Sequence, residues 1–230
     1  MSRKYCLLAT EGPHDQAAIA RLLQLSGLKK FNGVQKELDL FWEGFIPNYP
    51  KGGNLYTRMD MPSILTSPTH SIAIYCGEGS KLVQNLIAIV TNHPRYAQEI
   101  HAFGLIVDTD NEPPQKVAKE KAEGLRGSFP TNKRSGALDS ILAECASVVY
   151  PDHKKGATQF INDLDGKHTK HLNLAAKDKT VVACIVSILK PGSTNTSSIA
   201  KDDWICGQTI DHKDVASFYL FLKDLLELPS

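Results

Sequence analysis

The chain has no CxxC pair, and its five cysteines (Cys6, Cys76, Cys145, Cys184 and Cys206) are an odd number. That pattern argues against a disulfide framework or a zinc ribbon and fits free, mostly buried thiols in a reducing compartment. No uninterrupted apolar run approaches the roughly 20 residues that a membrane-spanning helix needs. Met1-Ser2-Arg3-Lys4 leads at once into an apolar segment and a charged turn, unlike a secretory leader. Excess charge of either sign is missing too, with 26 Lys+Arg against 25 Asp+Glu. Without a net field, nucleic acid can be held only through a local patch, which disfavours a dedicated high-affinity DNA binder. No GxxxxGK[ST] occurs, which excludes a P-loop nucleotide site. Repeats and low-complexity tracts are absent. The expectation is a cytoplasmic protein that does not enter a membrane.

What is present points to alternating strands and helices. At 230 residues the chain can bury a full core, and a single α/β domain over 1–230 is expected. Tyr5 to Thr10 reads as a buried strand, ending in Glu11-Gly12-Pro13-His14-Asp15. A helix is predicted from Pro13 to Gly27, with Ala17, Ala18, Ile19, Leu22 and Leu23 on its apolar stripe and Gly27 as its stop. Residues 29–68 read as an insertion or meander, with a strand suggested over Leu38–Trp42. Ser71–Cys76 is the next strand, followed by Gly77-Glu78-Gly79-Ser80 and a helix from Lys81 to about Asn92.

The stretch Gly104-Leu105-Ile106-Val107-Asp108-Thr109-Asp110 carries the strongest chemical signal. A short apolar run ending in acids is a buried strand delivering carboxylates to a sheet edge. Strand side chains alternate, so Asp108 and Asp110 share a side. Adjacent strands lie about 4.8 Å apart, so Glu11 reaches the same place if the two strands are neighbours. Three clustered carboxylates repel unless one is protonated or a cation sits among them. The plain alternative is a strand running into a helix cap, with Asp110 or Asn111 as N-cap and Pro113 or Pro114 in the first turn. Gly77-Glu78-Gly79-Ser80 is either a phosphate cradle at a helix N-terminus or simply a tight connection.

Farther on, a polar helix is predicted over Pro114–Leu125 and another over Ala137–Ala146, with a short strand over Ser147–Tyr150. A stretch rich in lysine and histidine (Lys154 to Lys179) reads as solvated surface diluted by aspartates; His168 and His171 lack a third zinc ligand. Thr180–Leu189 reads as a strand running into Lys190-Pro191-Gly192, with Lys190 near a phosphate or at an ordinary strand end. Asp214–Leu228 is an amphipathic closing helix. The sum is a three-layer α/β sandwich with a mainly parallel sheet. Sites in such sheets form beyond the carboxyl ends of the strands.

These pieces resemble the TOPRIM domain. The matching segments are Leu7-Leu8-Ala9-Thr10-Glu11-Gly12-Pro13-His14-Asp15, Cys76-Gly77-Glu78-Gly79 and Leu105-Ile106-Val107-Asp108-Thr109-Asp110, within a core of about residues 5–125. The chain looks most like stand-alone bacterial TOPRIM-like proteins of uncharacterised function, and distantly like the overcoming-lysogenization-defect nucleases. The resemblance implies a Rossmann-like core and Mg²⁺ (or Mn²⁺) held by Glu11, Asp108 and Asp110, or by the two aspartates with Glu11 as acid/base. Gly12, Gly77 and Gly79 would line the same site, and Glu112 and Asp15 are candidates for a second ion. The implied activity is nuclease-like cleavage of a phosphodiester, with nucleic acid or a nucleotide as partner and a homo-oligomer as an option. Two other readings stay open: an inactive TOPRIM-like binding or regulatory module, and a nucleotide-linked transferase using Asp-x-Asp. A haloacid-dehalogenase-like phosphatase fits less well, because the motif sits mid-chain and Glu112 occupies its fifth position.

Overall fold

The computed structural model describes residues 3–46, 61–77, 79–107, 116–117, 119, 138–164 and 166–229. They fall into two compact units, residues 1–135 with 222–230, and residues 136–221.

The first unit is built on a five-stranded sheet. Its strands are β1 (Lys4–Thr10), β2 (Lys29–Lys30), β3 (Ser63–Thr66), β4 (His70–Cys76) and β5 (Ile100–Ile106), in the order β2-β3-β4-β1-β5. β1 runs parallel to both β4 and β5, whereas β3 is antiparallel to β4 and β2 to β3. The sheet is therefore mixed, and the expectation of a mainly parallel one is corrected. The reason is local. Ser67 closes a tight β3–β4 turn, its hydroxyl accepting the His70 N–H at 3.0 Å and its N–H donating to the His70 carbonyl at 2.9 Å. A connection that short joins only antiparallel strands.

β1 is the central strand, and Cys6 through Thr10 are all buried. An unbroken apolar run is what a strand covered on both faces requires. Leu7 and Ala9 pack with Ala73 and Phe103, the aromatic segment 40–45 and α2 (Leu82–Asn92). Helix α1 (Pro13–Leu25) packs against β1, β3 and β4. Its predicted stop holds: Gly27 sits at φ 84°, and the Leu28 N–H returns to the Leu23 carbonyl at 3.2 Å, a left-handed C-terminal cap. A short helix α3 (Arg95–Glu99), not anticipated from the sequence, leads into β5.

Residues 40–45 form a 3-10 helix in place of the predicted strand. Asp39 caps it by accepting the Phe41 N–H at 3.0 Å, and Phe41, Trp42 and Phe45 are buried on the sheet. A 3-10 spacing puts Trp42 and Phe45 on the same side with Phe41 a third of a turn away, whereas an extended segment would send Trp42 and Phe45 to opposite faces. The Arg95 guanidinium holds the turn from outside by donating to the Leu40 and Phe41 carbonyls at 2.6 and 3.0 Å.

The second unit is helical: α4 (Leu138–Val149), α5 (Pro151–Asp163), α6 (Gly166–Thr169), α7 (Leu174–Leu189) and α8 (Asn195–Lys201), with the start of α9 (Lys213–Leu226). Two predicted strands are overturned here. Ser147–Val149 completes α4, and Pro151 opens α5 at a first-turn position that suits proline. Thr180–Leu189 is the second half of α7. The burial of Val181, Val182, Ile185 and Val186 repeats at helical, not alternating, spacing. Asn173 starts α7 by accepting the Ala176 N–H at 2.8 Å. Lys190 is thus the C-cap of a helix and not the end of a sheet strand.

Of Pro114–Leu125, Lys116, Val117 and Lys119 are helical and the rest lies outside the described residues. Among the described residues, no helix is long and apolar enough to cross a membrane.

Candidate site at the carboxyl edge of the sheet

The three parallel strands finish level. Register pairs Thr10 with Cys76 on one side and with Ile106 on the other. The residues that follow, Glu11, Gly77 and Val107, therefore leave the sheet at one edge. This is the edge where parallel α/β sheets place ligands.

Backbone bonds fasten the first two exits together. The Gly77 N–H donates to the Thr10 carbonyl at 2.9 Å, and the Gly79 N–H to the Glu11 carbonyl at 3.4 Å. Gly12 is the N-cap of α1 in ordinary extended conformation, at φ −137°. Its N–H donates to the Asp15 carboxylate at 3.1 Å. That bond gives Asp15 a capping role, which competes with its use as a ligand for a second ion. Glu11 itself is half-exposed at the head of this turn.

The three glycines assigned to this edge differ in what they do. A Cβ on Gly12 would meet only the Asp15 carboxylate, at an ordinary 3.4 Å. On Gly77 it would lie 2.9 Å from both Cα and Cβ of Leu82, the first residue of α2. Gly77 thus lets the strand end approach the helix start directly. Gly79 sits at φ 49°, left-handed backbone that favours glycine. Gly77→Ala should consequently lower stability by about 1–3 kcal/mol, while Gly12→Ala stays near neutral. Urea denaturation of the two variants side by side checks this; equal midpoints would disprove the steric reading.

Two residues at this edge escaped the sequence reading. Thr10 is 0% exposed, and its hydroxyl donates to the Gly12 carbonyl at 3.2 Å with the Tyr75 carbonyl at 3.5 Å. It ties the turn carrying Glu11 to β4. The Cys76 thiol is pushed up to about 11, chiefly by burial and then by the Asp15 carboxylate, against a bond to Thr10. It is neutral at physiological pH and is no nucleophile there. The signal for both was weak: each is one residue in an apolar run, given meaning only by the neighbouring strand.

Of the expected metal ligands, Glu11 is described, while Asp108 and Asp110 lie outside the described residues, as do Glu78 and Glu112. Among the described residues, no group of three His, Cys, Asp or Glu side chains is placed to share a metal ion. The described carboxylate offers oxygen donors, the chemistry that hard divalent cations take.

No family model matches the sequence, and no curated protein matches it. Among solved structures, the chain is similar to a hypothetical protein from Pyrococcus horikoshii OT3. The likeness has a TM-score of 0.57 at 17% identity and covers 98% of this chain and 97% of the other. At that identity the shared property is the fold alone, which in this chain is an α/β one with a five-stranded mixed sheet among the described residues.

Proposed function

We propose that this is a cytoplasmic, TOPRIM-like protein that cleaves phosphodiester bonds of nucleic acid with the help of Mg²⁺ or Mn²⁺. In this reading the first unit is a three-layer α/β core, and Glu11, Asp108 and Asp110 form its acidic centre. One observation carries the reading: β1 and β5 are adjacent and parallel, with Thr10 opposite Ile106. Glu11 follows the first of these directly, and Asp108 is two residues beyond the second. Had the strands been separated in the sheet, no shared centre would be tenable.

Glu11 either completes the oxygen ligand set with the two aspartates or leaves the metal to them and takes the proton from an attacking water on its carboxylate. A bound divalent cation supplies charge neutralisation on the phosphate oxygens. The tie between Thr10, Gly12 and Gly79 fixes where the Glu11 backbone stands, so the carboxylate searches a small volume. Such positioning lowers the entropic cost of reaching a reactive geometry.

The test is cleavage of single-stranded and duplex DNA and of RNA by the full chain with Mg²⁺ and with Mn²⁺. Metal-dependent cleavage is expected, falling by at least about 100-fold in Asp108→Ala with the circular dichroism spectrum unchanged. Cleavage that survives this substitution, or its absence with both metals, overturns the proposal. Thermal stabilisation by Mg²⁺ without turnover would point instead to a binding or regulatory module. Selective stabilisation by a nucleoside-diphosphate sugar would point to a transferase.

A further inference from the structure

At the opposite, amino edge of the same sheet, two strands, β1 and β5, meet on one carboxylate of the C-terminal segment. Glu227 accepts from Lys4 at the start of β1 and from His101 Nε2 of β5, the latter at 3.2 Å. Glu227 stands just past the end of α9, at φ 52°; among the described residues no other non-glycine has positive φ. The Leu228 N–H returns to the Lys223 carbonyl at 3.0 Å, so Glu227 occupies the left-handed cap position that glycine usually fills. A glutamate there is conformationally unfavourable. Its side chain offsets that cost by holding the end of the chain to β1 and β5.

Beneath this contact lies His70, the first residue of β4, only 3% exposed. Its Nδ1 is 2.9 Å from the Thr69 hydroxyl, and its Nε2 is buried without a hydrogen-bond partner among the described residues. The groups acting on the ring are the Leu226 carbonyl, Lys4, His101 and Glu227. Cys6 also lies within the influence of Lys4 and Glu227, but burial pushes its thiol up to about 12 and it stays neutral. A neutral imidazole suits this place. A second proton would put a cation in a desolvated pocket already flanked by Lys4 and His101.

We propose that residues 222–229 form a pH-gated clasp, closed on the amino edge of the sheet while His70 is neutral and released when His70 is protonated. Burial first of all, assisted by Lys4 and His101 and opposed by the Leu226 carbonyl and Glu227, holds the imidazole below its usual range. Once released, His70 returns to an ordinary value near about 6.5. Opening therefore takes up a proton, and the closed form is favoured above that value and loses ground as pH falls through it. Glu227 is pulled the other way: bonds from Lys4 and then His101 hold its carboxyl below the usual 4.5. It stays ionised in the window where His70 titrates. His101 lies on the closing contact itself, 3.2 Å from the Glu227 carboxylate, so the two histidines have different places in the clasp.

Hydrogen–deuterium exchange of the full chain, corrected for intrinsic exchange, separates them. Between about pH 7.5 and about pH 5.5, protection of peptides within 222–229 should fall by roughly tenfold while β1 peptides hold. His70→Asn should abolish the fall, and His101→Gln should retain it. Unchanged protection in the wild-type chain, or an undiminished fall in His70→Asn, overturns the proposal. If His70→Asn does not fold, the wild-type His70 ring signal followed by NMR decides. Its titration midpoint must lie below the ordinary imidazole value, and a midpoint at or above that value rejects the clasp. None of these readouts depends on the proposed cleavage activity.

Discussion

Trp42→Ala should cost the first unit about 3–5 kcal/mol, the range for deleting a large buried aromatic. Trp42 is 0% exposed and stands at the centre of a ring cluster. Its centroid lies 4.8 Å from that of Phe41, 5.8 Å from Phe45, 5.9 Å from Tyr5 and 6.3 Å from Tyr96. Its Nε1–H also donates to the buried Ser71 hydroxyl at 2.9 Å. Truncation therefore opens a cavity under the sheet and leaves a β4 hydroxyl without its partner, a penalty of about 1–3 kcal/mol when uncompensated. Trp42→Phe keeps most of the volume and loses the hydrogen bond, so its cost should be clearly smaller. Urea denaturation followed by circular dichroism ranks the variants. Equal losses for the two would mean that the hydrogen bond, not the packing, dominates.

Glu11→Gln should reduce the proposed metal-dependent cleavage by about 100- to 10,000-fold, the range for removing an acid/base group. The substitution keeps the side chain's size and removes its charge. Glu11 contributes its backbone carbonyl to the Gly79 N–H, a bond the change leaves in place, so folding should be little affected. The metal dependence separates the two roles. If Glu11 is a ligand, the variant's activity should return at higher Mg²⁺ or Mn²⁺ concentration. If Glu11 handles a proton, added metal should not restore the rate, and the pH profile of the residual activity should flatten. Wild-type activity in Glu11→Gln would remove Glu11 from the centre altogether.

The readable parts of the chain share a feature: local pattern and tertiary environment agree there. Cys6–Thr10 is an unbroken apolar run because it is the central strand, and α1 begins at Pro13 and is closed by Gly27 as its cap residues predict. Thr180–Leu189 misled because β-branched residues favour strands only weakly. The signal that outweighs them is the Asn173 cap, eight residues upstream of the first valine, Val181, and separated from it by lysines. Leu38–Trp42 misled for a related reason. Its apolar residues pack as one ring cluster against a sheet, and no pattern within the segment announces that sheet.

By itself, the sequence determined that strands and helices alternate through the first unit, where β1, β4 and β5 lie, and that Glu11 follows one strand while Asp108 and Asp110 follow another. Those facts depend on nearest neighbours along the chain: apolar runs, caps and turn residues. Only the tertiary structure decided that β1 lies between β4 and β5, that β3 returns antiparallel, and that Glu11 leaves the sheet level with Gly77 and Val107. It alone also brought Lys4, His70, His101 and Glu227 together, although Glu227 lies 223 residues from Lys4. Pairing partners distant in sequence are chosen by the whole core's burial and hydrogen-bond requirements, and no short window of residues contains that information.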